Sequence, residues 1–347
     1  MSDAVEVRPS ELRPAVVPER LGPWLDDHAP RFGPLAMIER ISGGHSNLTF
    51  RLVSTAGATL ALRRPPLGPV QPTANDVIRE SRIMAALAPT TVPVPDVVAT
   101  CADPDVVGAP FYLMDFVDGH VLRDRAAAET ISEAARRNVG LQIVDVLVDL
   151  HALAPADVGL DDFGPHDGYV ERQLRRWFGQ YQRTRTRDRP LLDQVHRALC
   201  DAAPFSNEAT IVHGDYRVDN AIVGDHGEVR AILDWEISTL GDPLADLGLL
   251  CVYWPEPGER TLVVSTTTAG GFPTRDEIVA RYAERSGRNV EGIEYYVAFG
   301  WWKLACIAEG VLARYSAYGL GIGADLPRMD RLVDKLASRA DDCVRRL

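Results

Sequence analysis

Two short apolar runs between residues 210 and 234 are each joined to a carboxylate, and this segment constrains the chain more than any other. The first run leads into the sequence H-G-D-Y-R-V-D-N, which places Asp215 five residues before Asn220. The second run ends at Asp234. Apolar runs separated by polar, glycine-containing turns predict two β-segments. These segments would bracket the first carboxylate and present the second at their end.

This arrangement of oxygen donors is suited to phosphoryl transfer. That reaction needs a carboxylate to orient a hydroxyl group and accept its proton, together with hard oxygen ligands for Mg²⁺. Asp215 is suited to the first task, and Asn220 and Asp234 are suited to the second. An isolated H-G-D sequence would fit a hydrogen-bonded surface turn equally well. Asn220 and Asp234, at their spacing from Asp215, favour phosphoryl transfer over a surface turn.

The segment resembles the signature of the aminoglycoside phosphotransferase and choline kinase-like family, whose members are relatives of the protein kinases. The resemblance implies that Asp215 is the catalytic base, that His213 braces the loop, and that Asn220 and Asp234 hold Mg²⁺. It implies ATP or GTP as the phosphoryl donor and a small-molecule hydroxyl substrate. The later sequence G-D-P-L-A-D-L also matches the family, and its Asp242 and Asp246 are expected to orient the catalytic loop.

The order of the elements predicts an α+β fold with two lobes, and the resemblance implies that this fold is protein-kinase-like. Residues 35–64 alternate as a three-stranded antiparallel meander, and a helix and two further strands follow it. Apolar residues recur at helical spacing in residues 131–153, residues 167–202 also look helical, and residues 276–347 are mostly helical. We therefore expect a small β-rich nucleotide-binding lobe with an N-terminal extension at residues 1–117, and a larger, mostly helical catalytic and substrate-binding lobe at residues 118–347.

A glycine-rich turn between the first two predicted strands is the candidate phosphate-binding loop. Glycines let main-chain N–H groups approach phosphate oxygens closely. The residues expected there are Gly43, Gly44, Ser46 and Asn47. An ordinary hairpin turn is the alternative interpretation.

The third predicted strand ends in two arginines at the place where kinases carry a phosphate-anchoring lysine. The chain contains only two lysines, Lys303 and Lys335, so no lysine is available there. Arg63 is the expected substitute, because a guanidinium is always charged and binds phosphate oxygens through a fork of donors. Glu80 on the following helix is its expected partner. Arg64 is the alternative if the strand register differs by one residue, and a solvated arginine on an edge strand is another.

The strand around residues 111–117 resembles the segment that links the two lobes in kinases. The resemblance implies that main-chain groups near Asp115 and Val117 bind the purine and that Met114 packs behind it. Main-chain contacts of this kind do not distinguish ATP from GTP. A core strand without a nucleotide role is the alternative.

Composition excludes several classes of function. The net charge of −12 disfavours nucleic acid as a partner, because phosphate contacts drive that binding. No run of about 18 apolar residues and no signal peptide is apparent, so we expect no membrane association. Five scattered cysteines fit a reducing, cytoplasmic location. We expect a monomer or a homodimer.

The acceptor is less well defined than the reaction. Residues 164–177 are similar to a branch of the family associated with acyl-CoA dehydrogenases, which implies a hydroxy acid or hydroxyacyl-CoA acceptor. Arg217, predicted to be catalytic, and Lys303 also favour an anionic acceptor. Trp301 and Trp302 would line an acyl or adenine pocket or else belong to the core. An aminoglycoside or amino-alcohol kinase, of choline or homoserine type, and a nucleotide-binding pseudokinase remain as alternatives.

Overall fold

A computed structural model describes most of the chain, and it separates into two compact units. The first unit contains the described residues up to Gly119 together with Arg230–Ile237. The second contains His120–Val229 and Ser238–Leu347. The described residues are 6–7, 18–41, 47–66, 76–205, 208–256, 258–318 and 325–347. The segment that carries Asp234 therefore belongs to the first unit, which a single boundary near residue 118 does not anticipate, because a chain can return to an earlier unit.

The first unit is built on a six-stranded sheet with two longer helices. Its strands run in the order β1-β2-β3-β4-β6-β5, and all pairs are antiparallel except β1 with β2. In chain order the elements are β1 Glu6–Val7, α1 Pro18–His28, β2 Leu35–Ile41, β3 Leu48–Ser54, β4 Thr59–Arg64, α2 Val77–Leu87, β5 Val97–Cys101, α3 Pro104–Val107 and β6 Phe111–Asp115. The meander expected at residues 35–64 is confirmed.

The core of this unit follows from the alternation of its strands. Phe50 and Leu52 on β3 point to the same face because side chains alternate along a strand, and both are fully buried. Leu21 and Leu25, one helical turn apart on α1, pack into the same core. Helix α2 starts at Asp76, whose side chain accepts a hydrogen bond from the N–H of Arg79 (3.0 Å).

The second unit is mainly helical. Its elements are β7 His120–Val121, α4 Arg125–Ala128, α5 Glu133–Ala152, α6 Tyr169–Thr184, α7 Pro190–Asp201, β8 Thr210–Val212, β9 Ala221–Val223, β11 Thr239–Gly241, α8 Leu244–Val252, α9 Arg275–Ser286, α10 Ile293–Tyr318 and α11 Leu326–Val344. Strand β10, Val229–Ile232, begins at the last residue of His120–Val229, and its residues from Arg230 onwards belong to the first unit. Helix α10 packs against α6, α7, α8 and α11. Strands β8 and β11 pair antiparallel, with Val212 opposite Thr239.

Helix α10 is the central helix of this unit. In the part of the chain that the structure describes, it is the one helix whose length and apolar composition would suffice to cross a membrane, over residues 293–317. Its most apolar window is 78% buried inside the protein. That degree of burial is typical of a core helix, and the packing against four neighbouring helices accounts for it.

Candidate functional site

Arg63 forms the centre of a charged cluster in the first unit. Its Nε donates to Oε2 of Glu80 at 2.9 Å, and its NH2 forms an ion pair with Oδ1 of Asp234. The Glu80 side chain is only 1% exposed, whereas Asp234 is 32% exposed. Glu80 occupies the buried face of α2 because it lies three residues after Val77 and four before Met84, both of which are buried.

Burial and charge act in opposite directions on this pair. Burial raises the pKa of Glu80 to about 7, although the guanidinium of Arg63 partly offsets that effect. Burial also opposes the charge of Arg63, but the carboxylates of Glu80 and Asp234 outweigh it and raise the pKa of the guanidinium. Arg63 is therefore a permanent cation within reach of two acidic side chains.

Arg64 lies in a different environment. It is fully buried, as expected for the next residue on a strand that alternates between faces. Its Nε donates to the carbonyl of Pro65 (2.9 Å), and its NH1 donates to the carbonyl of Val107. The structure thus pairs Arg63, and not Arg64, with Glu80.

Asp234 has a left-handed backbone conformation. Its φ is 68°, and no other non-glycine residue in the described ranges has a positive φ. Such conformations are uncommon outside glycine, though aspartate tolerates them better than most residues, and they concentrate at functional sites. The next residue, Trp235, is fully buried, and its indole N–H donates to the carbonyl of Ile232 (3.0 Å). The buried tryptophan holds the strained residue in place.

The candidate phosphate loop is only partly described. Gly43, Gly44 and Ser46 lie outside the described residues. Asn47 is buried, and its Nδ2 donates to Oε2 of Glu236 at 3.2 Å. Glu236 was not identified as a site residue from the sequence, although it lies two positions after Asp234.

The predicted linker segment forms the end of β6. Met114 is buried, consistent with a packing position, and Asp115 is exposed. The N–H of Asp115 donates to the carbonyl of Asp96 at 2.9 Å. The N–H of Asp115 is therefore already bonded within the protein.

In the second unit, the candidate catalytic loop connects β8 to β9. Asp215 and Asn220 contact each other across this loop: Nδ2 of Asn220 donates to the main-chain carbonyl of Asp215 (2.8 Å) and to its Oδ2 (3.2 Å). A 3₁₀ turn at Val218–Asn220 produces this approach. Because the amide nitrogen of Asn220 donates to Asp215, its amide oxygen is the atom that could bind a cation.

Buried side chains hold the main chain of the loop through hydrogen bonds to His213 and Asp246, and His151 in turn bonds Asp246. The Nδ1 of His213 accepts a hydrogen bond from the N–H of Asp215 (3.2 Å), which agrees with the bracing role expected for it. The carboxylate of Asp246 accepts from the N–H groups of His213 (2.6 Å) and Gly214 (2.8 Å). Burial works against the charge of Asp246, but the hydrogen bond from His151 and the loop contacts hold its pKa below the ordinary value.

Asp242 has a different role from the one expected. Its carboxylate accepts from the N–H of Leu244 (3.0 Å) and from the hydroxyl of Tyr296 (2.5 Å), and so fixes the start of α8 against α10. Asp246, and not Asp242, contacts the catalytic loop. The two aspartates lie four residues apart, so their sequence positions could not separate these roles.

Arg217 lies beside the candidate base. Its Nε is 3.3 Å from Oδ2 of Asp215, its NH1 is 3.0 Å from Oδ2 of Asp219, and its guanidinium lies 4.8 Å from the ring centre of Tyr253. Its side chain is partly exposed and lies beside the carboxylate of Asp215.

The expectation for Lys303 was wrong, whereas the alternative that places Trp301 and Trp302 in the core is confirmed. The ammonium of Lys303 is buried, and its Nζ donates to the carbonyl of Gly214 at 2.6 Å, so it is not presented to an anionic acceptor. Trp302 is fully buried and donates to the carbonyl of Leu192 (3.2 Å), which makes it a core residue. Trp301 is buried as well. Helical spacing could not predict the burial of Lys303, because α10 packs against four neighbouring helices and so has buried positions on several of its faces.

Oxygen donors suited to Mg²⁺ are present as separate residues. Within the described ranges there is no group of three or more histidine, cysteine, aspartate and glutamate side chains that could hold a metal. Mg²⁺ commonly binds through one or two protein oxygens together with waters and substrate phosphates. The carboxylate of Asp234 and the amide oxygen of Asn220 match that chemistry.

Comparison with known sequences gives a consistent result. A model of the phosphotransferase enzyme family matches residues 37–282. The chain is 34% identical to rat acyl-CoA dehydrogenase family member 11 over 332 residues, covering 90% of this chain and 41% of that protein. It is 33% identical to mouse acyl-CoA dehydrogenase family member 10 over 316 residues, covering 89% and 29%. The chain thus spans less than half the length of these curated relatives.

Solved structures show the same fold. A Ralstonia eutropha protein described as a candidate aminoglycoside phosphotransferase is 33% identical, with a TM-score of 0.80 over 94% of this chain and 98% of that one. The GDP complex of aminoglycoside 2'-phosphotransferase-IIIa matches with a TM-score of 0.58 and 12% identity over 91% and 96%. An amicoumacin kinase solved with AMP-PNP, Ca²⁺ and its substrate matches with a TM-score of 0.60 and 14% identity over 87% and 88%.

Proposed function

Because this chain belongs to the phosphotransferase enzyme family, we propose that it transfers the γ-phosphoryl group of ATP or GTP to a hydroxyl group of a small molecule. The observation that carries the proposal is the contact between Asp215 and Asn220, in which the amide nitrogen of Asn220 donates to the partly exposed carboxylate and leaves the amide oxygen for a cation. The solved relatives with bound GDP or AMP-PNP support a nucleotide donor.

The roles of the residues follow from what phosphoryl transfer requires. Asp215 orients the acceptor hydroxyl and takes its proton, and Arg63 steadies the nucleotide phosphates together with Glu80. Asn220 and Asp234 provide oxygen ligands for Mg²⁺. A bound Mg²⁺ would neutralise charge on the phosphates. Asn47 contacts the phosphates in this proposal, and the main chain near Met114, Asp115 and Val117 binds the purine. Gly43, Gly44 and Ser46, which the sequence assigns to the phosphates, lie outside the described residues.

We propose that the acceptor is a hydroxy acid or a hydroxyacyl-CoA. The relatives that match over 89–90% of this chain are named as acyl-CoA dehydrogenase family members, which supports an acyl substrate. Arg217 lies 3.3 Å from Asp215, so a cation is available where an acceptor with a carboxylate or phosphate would bind.

An aminoglycoside or amino-alcohol acceptor is the second candidate. The net charge of −12 favours a cationic substrate, and Asp219 adds a carboxylate next to Arg217. The amicoumacin and aminoglycoside enzymes share the fold with this chain. A pseudokinase is the third candidate, and the absence of a lysine at position 63 is the observation that favours it.

The decisive experiment is a nucleotide-consumption screen with Mg²⁺ and either ATP or GTP. Hydroxyacyl-CoAs, free hydroxy acids, aminoglycosides and amino alcohols are tested as separate groups. Wild type is compared with Asp215→Asn and with Asp225→Asn, a control at a carboxylate that is 81% exposed. We expect turnover with an anionic acceptor, a loss of roughly 10²–10⁴-fold in Asp215→Asn, and no change in the control. Turnover that is unaffected by Asp215→Asn would refute the catalytic proposal.

Arg217 distinguishes the acceptor classes. With an anionic acceptor, Arg217→Gln should raise the KM for the acceptor by about 10- to 100-fold and leave the KM for nucleotide unchanged, because a charge-assisted hydrogen bond contributes ~1.5–3 kcal/mol. With a cationic acceptor, the same variant should leave the KM for the acceptor unchanged or lower it. The first result supports the hydroxy-acid proposal, and the second contradicts it.

A further inference from the structure

Lys303 is a buried cation directly behind the candidate catalytic loop. It lies on α10, is 6% exposed, and is the first of only two lysines in the chain. Lysine is almost never buried without a partner, because removing an ammonium from water is costly. Its Nζ donates to the carbonyl of Gly214 at 2.6 Å and lies 5.3 Å from the ring centre of Trp177.

The carbonyl that Lys303 holds belongs to the peptide unit that precedes Asp215. The N–H of that same unit donates to Nδ1 of His213 at 3.2 Å. A peptide unit is planar, so a bond at each end sets its orientation and therefore the direction in which the Asp215 side chain leaves the main chain. Lys303 and His213 thus hold opposite edges of one peptide plane.

The preceding residue is restrained as well. Gly214 has a φ of 85°, a left-handed conformation that favours glycine, and its N–H donates to Asp246 at 2.8 Å. Both main-chain polar groups of Gly214 are therefore bonded to buried charged side chains of opposite sign. Without Lys303, a buried carbonyl would lose its partner at the position where the chain turns into Asp215.

The surroundings of Lys303 explain why a charge is tolerated there. Burial lowers the pKa of Lys303, and the carboxylates of Asp215 and Asp246 counteract it. The face of Trp177 provides a further favourable contact for the ammonium. Because these groups enclose the Nζ, the ammonium binds the main chain of the loop and is not exposed to a ligand.

We propose that Lys303 is a positioning residue for the catalytic carboxylate, acting on Asp215 through the carbonyl of Gly214. The inference deepens the proposed phosphotransferase function and rests on it for the role of Asp215. The contact itself joins residues 89 positions apart and is independent of the identity of the acceptor.

The first test measures the loop and needs no substrate. Hydrogen exchange of a peptide that covers residues 212–216 is followed by mass spectrometry in wild type, in Lys303→Met and in Lys335→Met. Lys335 is the other lysine and is exposed on α11, so it is a matched control. We expect about 10- to 100-fold faster exchange in Lys303→Met, because a charge-assisted hydrogen bond is lost, and no change in the control. Unchanged exchange in Lys303→Met would overturn the proposal.

The second test separates positioning from a purely structural role. In the nucleotide-consumption assay with Mg²⁺-ATP and an acceptor that the screen identifies, followed as ADP formation, kcat of Lys303→Met should fall by about 10- to 100-fold while the KM for ATP stays within about twofold. Lys303→Arg, which keeps a charged donor, should recover part of kcat. If Lys303→Met does not fold, Lys303→Gln, which keeps a neutral donor, is measured in both assays and should show smaller changes in the same directions.

The outcomes keep the two proposals apart. Faster exchange with unchanged kcat would show that Lys303 restrains the loop without affecting the reaction, and would overturn its positioning role. Wild-type protein that turns over neither ATP nor GTP with any acceptor would instead contradict the phosphotransferase function, and the exchange result would still decide whether Lys303 orders the loop.

Discussion

Arg63 forms an ion pair with Asp234, a residue 171 positions further along the chain. The same guanidinium bonds Glu80 at 2.9 Å, so one side chain connects β4, α2 and the segment that follows β10. A guanidinium presents several donors in a fixed fork, whereas an ammonium is a compact point charge. Arginine is thus better suited than lysine to hold two carboxylates at once, which gives a physical reason for arginine at this position.

Replacing Arg63 should affect both nucleotide binding and stability. Arg63→Ala removes the proposed phosphate contact and leaves Glu80 buried without its cation. We expect nucleotide affinity to fall by about 10- to 100-fold and the free energy of unfolding to fall by ~3 kcal/mol. Fluorescent-nucleotide titration and denaturant unfolding measure the two effects. Arg31→Ala, at an exposed arginine of the same unit, is the control. Equal nucleotide affinity in both variants would show that Arg63 does not bind phosphate.

Asp234 should be required for Mg²⁺ binding and not for folding. Asparagine tolerates a positive φ about as well as aspartate, so Asp234→Asn keeps the backbone conformation while removing the charge. We expect turnover to fall by roughly 1000-fold and the Mg²⁺ concentration for half-maximal rate to rise. Thermal unfolding of the variant without nucleotide tests the fold. A variant with normal turnover at low Mg²⁺ would exclude Asp234 as a ligand.

Glu80 should make the stability of the first unit depend on pH. Burial raises the pKa of Glu80 to about 7, so between its ordinary value of 4.5 and 7 the folded chain binds more protons at this site than the unfolded chain. The resulting stabilisation is fully present below pH 4.5 and is lost as the pH rises through 7. Between pH 5 and 8 the free energy of unfolding of wild type should fall by up to ~3 kcal/mol more than that of Glu80→Gln. Parallel stability curves for the two proteins would contradict this assignment.

A buried ion pair connects the start of α7 to α10. The guanidinium of Arg189 lies 2.7 Å from Oε2 of Glu309, and both side chains are almost fully buried. Glu309 also accepts from the N–H (2.5 Å) and the hydroxyl (2.8 Å) of Thr186. Arg189→Met should lower the free energy of unfolding by ~3–5 kcal/mol, because Glu309 is left buried without its cation.

The double variant Arg189→Met with Glu309→Met provides the control for that pair. It removes both charges, so it should be more stable than Arg189→Met alone. Denaturant unfolding of the two variants and wild type gives the comparison. A double variant that is less stable than the single one would show that Glu309 contributes mainly through Thr186.

The site residues that sequence could identify are those linked by short spacing. Asp215 and Asn220 lie five positions apart in one loop, and a single 3₁₀ turn brings them together. The pairing of Arg63 with Glu80 followed from a strand and the next helix in the chain. Only four residues separate Asp215 from Asn220, so local backbone geometry decides whether these two meet, whereas the contact of Arg63 with Glu80 also depends on how α2 packs against the sheet.

The tertiary structure decided the contacts between residues that lie far apart in the sequence. It placed Arg63 and not Arg64 beside Glu80 through the register of β4, and it brought Asp234 back to the first unit. It also separated the roles of Asp242 and Asp246, and buried Lys303 against Gly214. The sequence by itself determined which donors and acceptors the candidate catalytic loop carries, because these follow from residue type and short spacing. Contacts over 89 or 171 positions depend instead on how strands and helices pack, and no local pattern encodes that packing.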